Sequence, residues 1–188
     1  INTMNANLNE FAQPTRYSWL TAFAGKYMND WLTISASALA TIINEDVKEG
    51  GSAGNHRKLT PYISASFKPF YHEEFRIRFF YKDIFRVPSF NDLYYQEVGN
   101  TKLRPENARQ YNVGLTYSKN VCPFLPYLSA TIDAYYNKVT DKIIAYPTKN
   151  LAVWSMRNLG EVEIKGIDAT GSLSLQPWER IRINLSSN

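Results

Sequence analysis

The stretch "WLTISASALATII", Trp31 to Ile43, decides the fold, because its residues alternate. Leu32, Ile34, Ala36, Ala38, Ala40 and Ile42 form one set, and Thr33, Ser35, Ser37, Leu39 and Thr41 form the other. In an extended chain successive side chains point to opposite faces, so a period of two is the mark of a β-strand with one apolar and one polar face.

The same rule holds in both directions from this stretch. In "FRIRFFYK", Phe75, Ile77, Phe79 and Tyr81 alternate with Arg76, Arg78, Phe80 and Lys82. Val113 and Leu115 lie in one set of "YNVGLTY", and Ile132 lies in one set of "LSATIDAYYN". Leu173 belongs to the apolar set of the stretch from Ile167, and Ile181 and Ile183 belong to that of "RIRINLS". Helical periodicity and fixed-length repeats are absent. The reading is all-β, with about eight strands at 15–25, 31–44, 57–67, 74–85, 108–118, 127–145, 153–175 and 180–188.

The connections alternate in length. "KYMND", "KPFYHE", "KNVCPFLP" and "QPWE" are short, whereas "NEDVKEGGSAGNH" and residues 86–107 are long, and the region 146–152 is expected to join the longer set. Short turns on one side and long loops on the other are the rhythm of an antiparallel up-and-down meander, and of outer-membrane barrels in particular.

Composition narrows the function. The 188 residues include thirteen Tyr, ten Phe and four Trp, with a net charge of +4. Lys and Arg are spread along the chain rather than clustered, so nucleic acid is not an expected partner. The single cysteine, Cys122, excludes an intrachain disulfide. No apolar run is long enough for a transmembrane helix. The opening "INTMNANLNE" carries no signal-peptide pattern, and we expect the 188 residues to be a piece of a longer protein.

Alternation does not say whether the apolar face meets lipid or a soluble core. Three features favour lipid. The apolar sets carry no charge, and a mid-bilayer Lys or Arg would cost about 2–4 kcal/mol. The opposite sets are rich in Ser, Thr, Gly and Asn, which suits a hydrated lumen. Aromatics gather beside the short turns: Tyr27 and Trp31, Phe70 and Tyr71, Tyr117, Phe124 and Tyr127, and Trp178. The expected lipid-facing residues are Leu32, Ile34, Phe75, Ile77, Phe79, Val113, Leu115, Ile132, Leu173, Ile181 and Ile183. The blander account is that aromatics simply favour strands.

The stretch "FRVPSFNDLYYQEVGNTKLRPENARQYNVGLTY", Phe85 to Tyr117, resembles the signature of the C-terminal half of TonB-dependent outer-membrane receptors. The match rests on Phe85, Arg86, Pro88, Leu93, Tyr94, Gly99, Asn100, Leu103, Pro105, Glu106, Tyr111 and Gly114. "NLGEVEIKGIDATGSL" resembles a later strand of that family through Asn158, Gly160, Gly166 and Ile167, with Asp168 where Glu is usual. The resemblance implies part of a transmembrane barrel of about 22 strands with a plugged lumen. It implies a receptor in the bacterial outer membrane that imports a scarce nutrient with TonB-coupled energy. The ligand would be a siderophore, haem, cobalamin or glycan. Its expected partners are outer-membrane lipid and, in the full-length protein, TonB and a plug domain. The TonB box, the plug and the family's terminal aromatic are not found in these residues.

Residues 86–107 have their own physical account. Pro88 and Pro105 have no N–H to give a ladder, so they end one strand and delay the next. Asn91-Asp92 and Gly99-Asn100 favour turns. The expectation is an ordered extracellular excursion flanked by Arg86 and Glu106, which we expect to pair. Most of its motif residues are expected to fold the loop, and some to contact ligand.

No catalytic constellation, metal site or cofactor is expected. His72-Glu73-Glu74 has no second histidine nearby and reads as a solvated turn, as does Cys122-Pro123. Asp133, Asp141, Glu161, Glu163 and Asp168 are carboxylates on strands, expected along a hydrated lumen or rim rather than in acid–base work. "GGSAGNH" lacks the Lys and helix of a phosphate loop. Two other architectures would read similarly: a complete eight-strand membrane barrel with a structural or adhesive role, and a soluble lipocalin-like carrier. The carrier would enclose Leu32, Ile77 and Ile183.

Overall fold

The computed structural model describes residues 12–70, 74–95, 98–148, 154–178 and 181–187. They form one antiparallel sheet of eight strands in sequence order. The strands are β1 (Pro14–Met28), β2 (Leu32–Val47), β3 (His56–Phe67), β4 (Phe75–Arg86), β5 (Glu106–Lys119), β6 (Tyr127–Pro147), β7 (Trp154–Trp178) and β8 (Ile181–Ser187). Every expected strand is present, with ends displaced by at most three residues. The connections after β2 and β4 are the longest and lie at the same end of the sheet, whereas the one after β6, expected to be longer too, is no longer than the turns after β3 and β5.

One short helix, α1 (Phe90–Tyr94), lies between β4 and β5. Periodicity did not reveal it, because five residues hold barely more than one turn. The local signal was a capping box. Ser89 Oγ accepts a hydrogen bond from the Asp92 amide at 3.2 Å, and Asp92 Oδ2 accepts one from the Ser89 amide at 2.8 Å.

The register divides the side chains cleanly. Leu32 opposes Phe67, which opposes Ile77, then Leu115, then Ile132. One row away run Ile34, Ala65, Phe79, Val113 and Ala134. Phe75 opposes Tyr117, Leu173 opposes Leu185, Ile183 opposes Leu175 and Ile181 opposes Trp178. Paired residues share a face, so all eleven expected lipid-facing residues stand on the same side of the sheet. That face is open: Trp19 is 70% exposed, Phe23 71% and Ile167 75%.

β1 and β8 are the two edges of this sheet and do not pair with each other. The alternative of a complete eight-strand barrel is therefore not what these residues form. Nor do they form a closed carrier, since Ile183 stands 43% exposed on the open apolar face. The buried apolar core lies elsewhere, at the long-loop end, around Leu93, Tyr94, Leu103 and Ile143.

The ladder has one weak seam. β3 and β4 pair only from Tyr62 to Phe67 and from Ile77 to Lys82, although both strands run further. The next residue of β3 is Pro61, which has no N–H to donate. The strands part there, while β2 and β3 remain paired throughout.

Candidate functional site: the loop tile at one end of the sheet

The excursion between β4 and β5 folds as a tile across the long-loop ends of β1, β2, β6 and β7. Its hydrophobic anchors are Leu93, Tyr94 and Leu103. They pack with Ile143 against Ala12, Val47, Ala53, Phe90 and Met156. Leu93 and Pro88 are fully buried. Helix α1 exists here because its cap is satisfied within the loop and its buried side turns into this cluster.

One margin of the tile is held by a polar cluster. Tyr94 donates its hydroxyl hydrogen to Glu45 Oε1 and accepts from the Ala53 amide at 3.2 Å. Arg16 Nε donates to Glu45 Oε2 at 2.7 Å, and Arg16 Nη2 donates to the Pro88 carbonyl at 2.9 Å. The Arg16 guanidinium also lies 4.8 Å from the Phe90 ring centre. Glu45 is buried, so its charge is stable there only because it is paired. Burial, reinforced by the bond to Glu45, pushes the Tyr94 phenol up to about 12.

The other margin is tied to β6 and β7. The Met156 amide donates to the Val98 carbonyl at 2.9 Å, and Asn100 Nδ2 donates to the Met156 carbonyl at 3.0 Å. Asn158 clasps the chain before Pro105. Its Oδ1 accepts from the Arg104 amide at 2.8 Å, and its Nδ2 donates to the carbonyls of Arg104 at 2.9 Å and Asp141 at 2.8 Å. Arg104 Nη2 meets Asp141 Oδ1 at 2.6 Å. Asp141 has a φ of 56°, a left-handed conformation that short polar side chains tolerate.

Arg86 and Glu106 close the base. They are opposite each other in register and joined at 3.3 Å. Glu106 also accepts from Lys142 Nζ and from the Ile143 amide, both at 3.2 Å. Arg86 reaches Asp92 at 3.4 Å. Gly99 sits where a Cβ would come within 2.7 Å of the Leu93 carbonyl oxygen and the Tyr95 amide nitrogen, so only glycine fits. Pro105 directly precedes β5, and its carbonyl accepts from Asn107 Nδ2 at 3.2 Å.

The structure thus brings Arg86, Pro88, Leu93, Tyr94, Gly99, Asn100, Leu103, Pro105 and Glu106 into one ordered unit. Sequence reasoning missed Arg16 and Glu45, and it named Asn158 only as a family-motif residue and not as a clasp on this loop, because each is distant in sequence from the loop it holds. The exposed side chains at this end include Tyr95, Tyr146, Trp154 and Arg104. The Arg157 guanidinium lies 5.7 Å from the Tyr146 ring centre.

The remaining singled-out residues are placed as follows. Among the described residues, no group of three His, Cys, Asp or Glu is arranged to hold a metal ion. His72 and Glu73 lie outside the described residues. Cys122 is exposed in the turn after β5. Glu161 pairs with Lys138 at 2.9 Å, and Glu163 with Lys165 at 3.1 Å. Asp133 and Asp168 face each other across β6 and β7.

The chain resembles known proteins along most of its length. Residues 15–188 match the family model described as "TonB dependent receptor-like, beta-barrel". A vitamin B12 transporter, BtuB, of Vibrio vulnificus is 34% identical over 84 residues, covering 45% of this chain and 13% of the relative. BtuB of Photobacterium profundum is 31% identical over 94 residues, 48% of this chain and 14% of the relative. The chain therefore spans only a small part of these relatives. Among solved structures, the hemophore receptor HasR of Serratia marcescens superposes with a TM-score of 0.71 at 15% identity, covering 88% of this chain and 33% of that one. The proteins matched are transporters and receptors rather than enzymes, and the solved barrels share this chain's fold. The match over residues 15–188 places this chain in the TonB-dependent receptor β-barrel family.

Proposed function

We propose that these residues are a section of the wall of an outer-membrane receptor that binds a scarce nutrient at the long-loop end and imports it with TonB-coupled energy. The full-length protein would carry a plug domain and the remaining strands. The nutrient is a small molecule of the siderophore, haem, cobalamin or glycan kind.

The observation that carries the reading is the height of the uncharged band. Two ion pairs bracket it on β4 and β5: Lys119 with Glu74 at 2.9 Å near the short turns, and Arg109 with Asp83 at 3.6 Å towards the long loops. On the apolar face of β5 only Tyr111, Val113, Leu115 and Tyr117 lie between them. Ten residues at about 3.4 Å each give roughly 34 Å of strand, or about 25 Å along the membrane normal at a 40° tilt. That is the height of the apolar band of an outer-membrane barrel. Just inside the upper pair lies a row of tyrosines. The Tyr81 and Tyr111 rings are 5.1 Å apart and the Tyr111 and Tyr136 rings 6.0 Å, a rim suited to the headgroup level.

The test uses the full-length receptor in vesicles with brominated acyl chains. A fluorophore is placed on a cysteine at Val113 or at its neighbour Asn112, in a Cys122→Ser background. Quenching at position 113 but not at 112 is the expected result. Equal quenching at both, or at neither, would overturn the lipid-facing assignment.

A further inference from the structure

The polar face of the sheet is electrically lopsided. From β1 to β4 it carries Arg16, Lys26, Lys58, Arg76, Arg78, Lys82 and Arg86 against one strand carboxylate, Glu45. Glu45 is held by Arg16 and Glu106 by Arg86 and Lys142, and the other two carboxylates, Asp133 and Asp168, sit away on β6 and β7. Only Arg78 reaches across to one of them, meeting Asp133 at 2.9 Å. Among the described residues, Lys26, Arg76 and Lys82 have no ion-pair partner.

The neighbours of these cations are hydroxyls. Ser35 opposes both Lys26 and Ser64, Ser66 opposes Arg78, and Tyr62 opposes Lys82. Two clefts lie along this column. One, of about 520 Å³, is lined by Arg76 and Lys68 with Thr33, Ser66 and Asp30 among others. The other, of about 530 Å³, lies where β3 and β4 part and is lined by Lys82 with Thr60, Tyr62, Ser37 and Asp83 among others. Arg76 and Lys82 are six residues apart on one strand, roughly 20 Å.

We infer that the polar face of β2–β4 is a binding path for a small polyanion, a solute bearing several carboxylate or phosphate oxygens. Cations in excess over carboxylates along this column raise the local concentration of anions, and the flanking hydroxyls and the Lys and Arg side chains supply hydrogen-bond donors to their oxygens. The clefts hold a molecule of several heavy atoms at either end of the column. This rests on the proposal that the polar face lines the barrel lumen, and it narrows the nutrient to one with an anionic surface.

The experiment uses the full-length receptor in a Cys122→Ser background with Ser66→Cys as reporter and Ser64→Cys as a second reporter. Their reaction rates with an anionic sulfonatoethyl and a cationic trimethylammonium-ethyl methanethiosulfonate are compared with those of a free thiol. The expected result is a preference for the anionic reagent of about tenfold or more. Citrate should slow that reaction in a saturable way. Arg76→Gln with Lys82→Gln should remove both effects. A ratio like that of the free thiol overturns the proposal, as does a preference that survives the double substitution. A preference that citrate does not compete would mean a charged wall without a site, and also overturns it. So does failure of both reporters to react with either reagent, which would mean that another part of the protein covers the wall and leaves no path along it. The Val113 and Asn112 labels test the lumen assignment separately, so an anion failure alongside a lipid result at Val113 sinks this inference alone.

Discussion

Arg78 on β4 joins Asp133 on β6 by passing over the intervening strand β5 at Gly114. Arg78 and Gly114 are register partners, and so are Gly114 and Asp133. The guanidinium and carboxylate meet at 2.9 Å in the space that a side chain at position 114 would occupy. A Cβ there would collide with Asp133 Oδ1 and lie 2.9 Å from Arg78 Nη2. A glycine in the middle of a strand thus allows three strands to be tied by one ion pair.

Gly114→Ala is therefore expected to push this pair apart. The cost should be about 1–3 kcal/mol, as for other overpacked sites. Gly171→Ala is the control, since a Cβ at position 171 meets nothing within 4 Å. The check is the temperature at which the full-length barrel loses its compact migration on a gel. It should fall for Gly114→Ala and stay within error for Gly171→Ala.

Tyr94→Phe removes the donor to buried Glu45 while leaving Arg16 in place. The carboxylate would lose one of its partners, at a cost of roughly 1–3 kcal/mol. Because the loss is local, amide exchange should quicken in residues 88–95 and at the Ala53 amide, with the strands below unaffected. Unchanged exchange in the loop would mean that the hydrogen bond does not hold the tile.

The same tyrosine sets an alkaline limit. Its phenol is pushed up from 10 to about 12 by burial and by Glu45. A group whose folded pKa is raised stabilises the fold fully below its unfolded value and loses that contribution as pH rises through the folded one. The tile should therefore hold to about pH 10 and loosen between roughly 10 and 12. Protease nicking within 87–105 should rise over that window in the parent. In Tyr94→Phe the tile should be looser at neutral pH and should lack this pH-dependent step.

Gly99→Ala should be more disruptive to the loop than its small size implies. Its methyl would meet backbone atoms of Leu93 and Tyr95, which cannot swing aside as a side chain can. The turn and the short helix must shift together. The measurement is nutrient binding at the cell surface alongside the amount of folded receptor in the outer membrane. Binding should fall while the folded amount is largely kept.

Asn158→Ala is expected to free the second margin of the tile. One side chain there satisfies the Arg104 amide and two carbonyls, and alanine leaves all three without it. A loss of about 1–3 kcal/mol of local stability follows from the orphaned groups. Asn158→Asp keeps the acceptor but loses the donor, so it should lie between alanine and the parent in amide exchange at Arg104.

Much of this was legible in the one-dimensional pattern. Alternation along Trp31 to Ile43 and its counterparts named all eight strands and the face on which Leu32, Ile77, Val113 and Ile183 stand. A strand's period is a local property, so each segment declares itself. Pro88 and Pro105 marked the ends of β4 and β5 because a missing N–H is also local. The capping residues Ser89 and Asp92 were readable in principle, but one helical turn has no period to notice.

What only the tertiary structure decided was which distant residues meet. Arg16, Glu45 and Tyr94 come from β1, β2 and the excursion after β4, and no spacing in the chain links them. Gly114 was a motif residue in the sequence, but its physical role was not visible until the register set Arg78 on one side of it and Asp133 on the other. The parting of β3 from β4 at Pro61, and the gathering of unpaired cations on one half of the polar face, likewise depend on strand register. Side-chain direction follows from neighbouring residues, whereas ion pairs, buried carboxylates and clefts follow from registers that hydrogen bonding between whole strands selects.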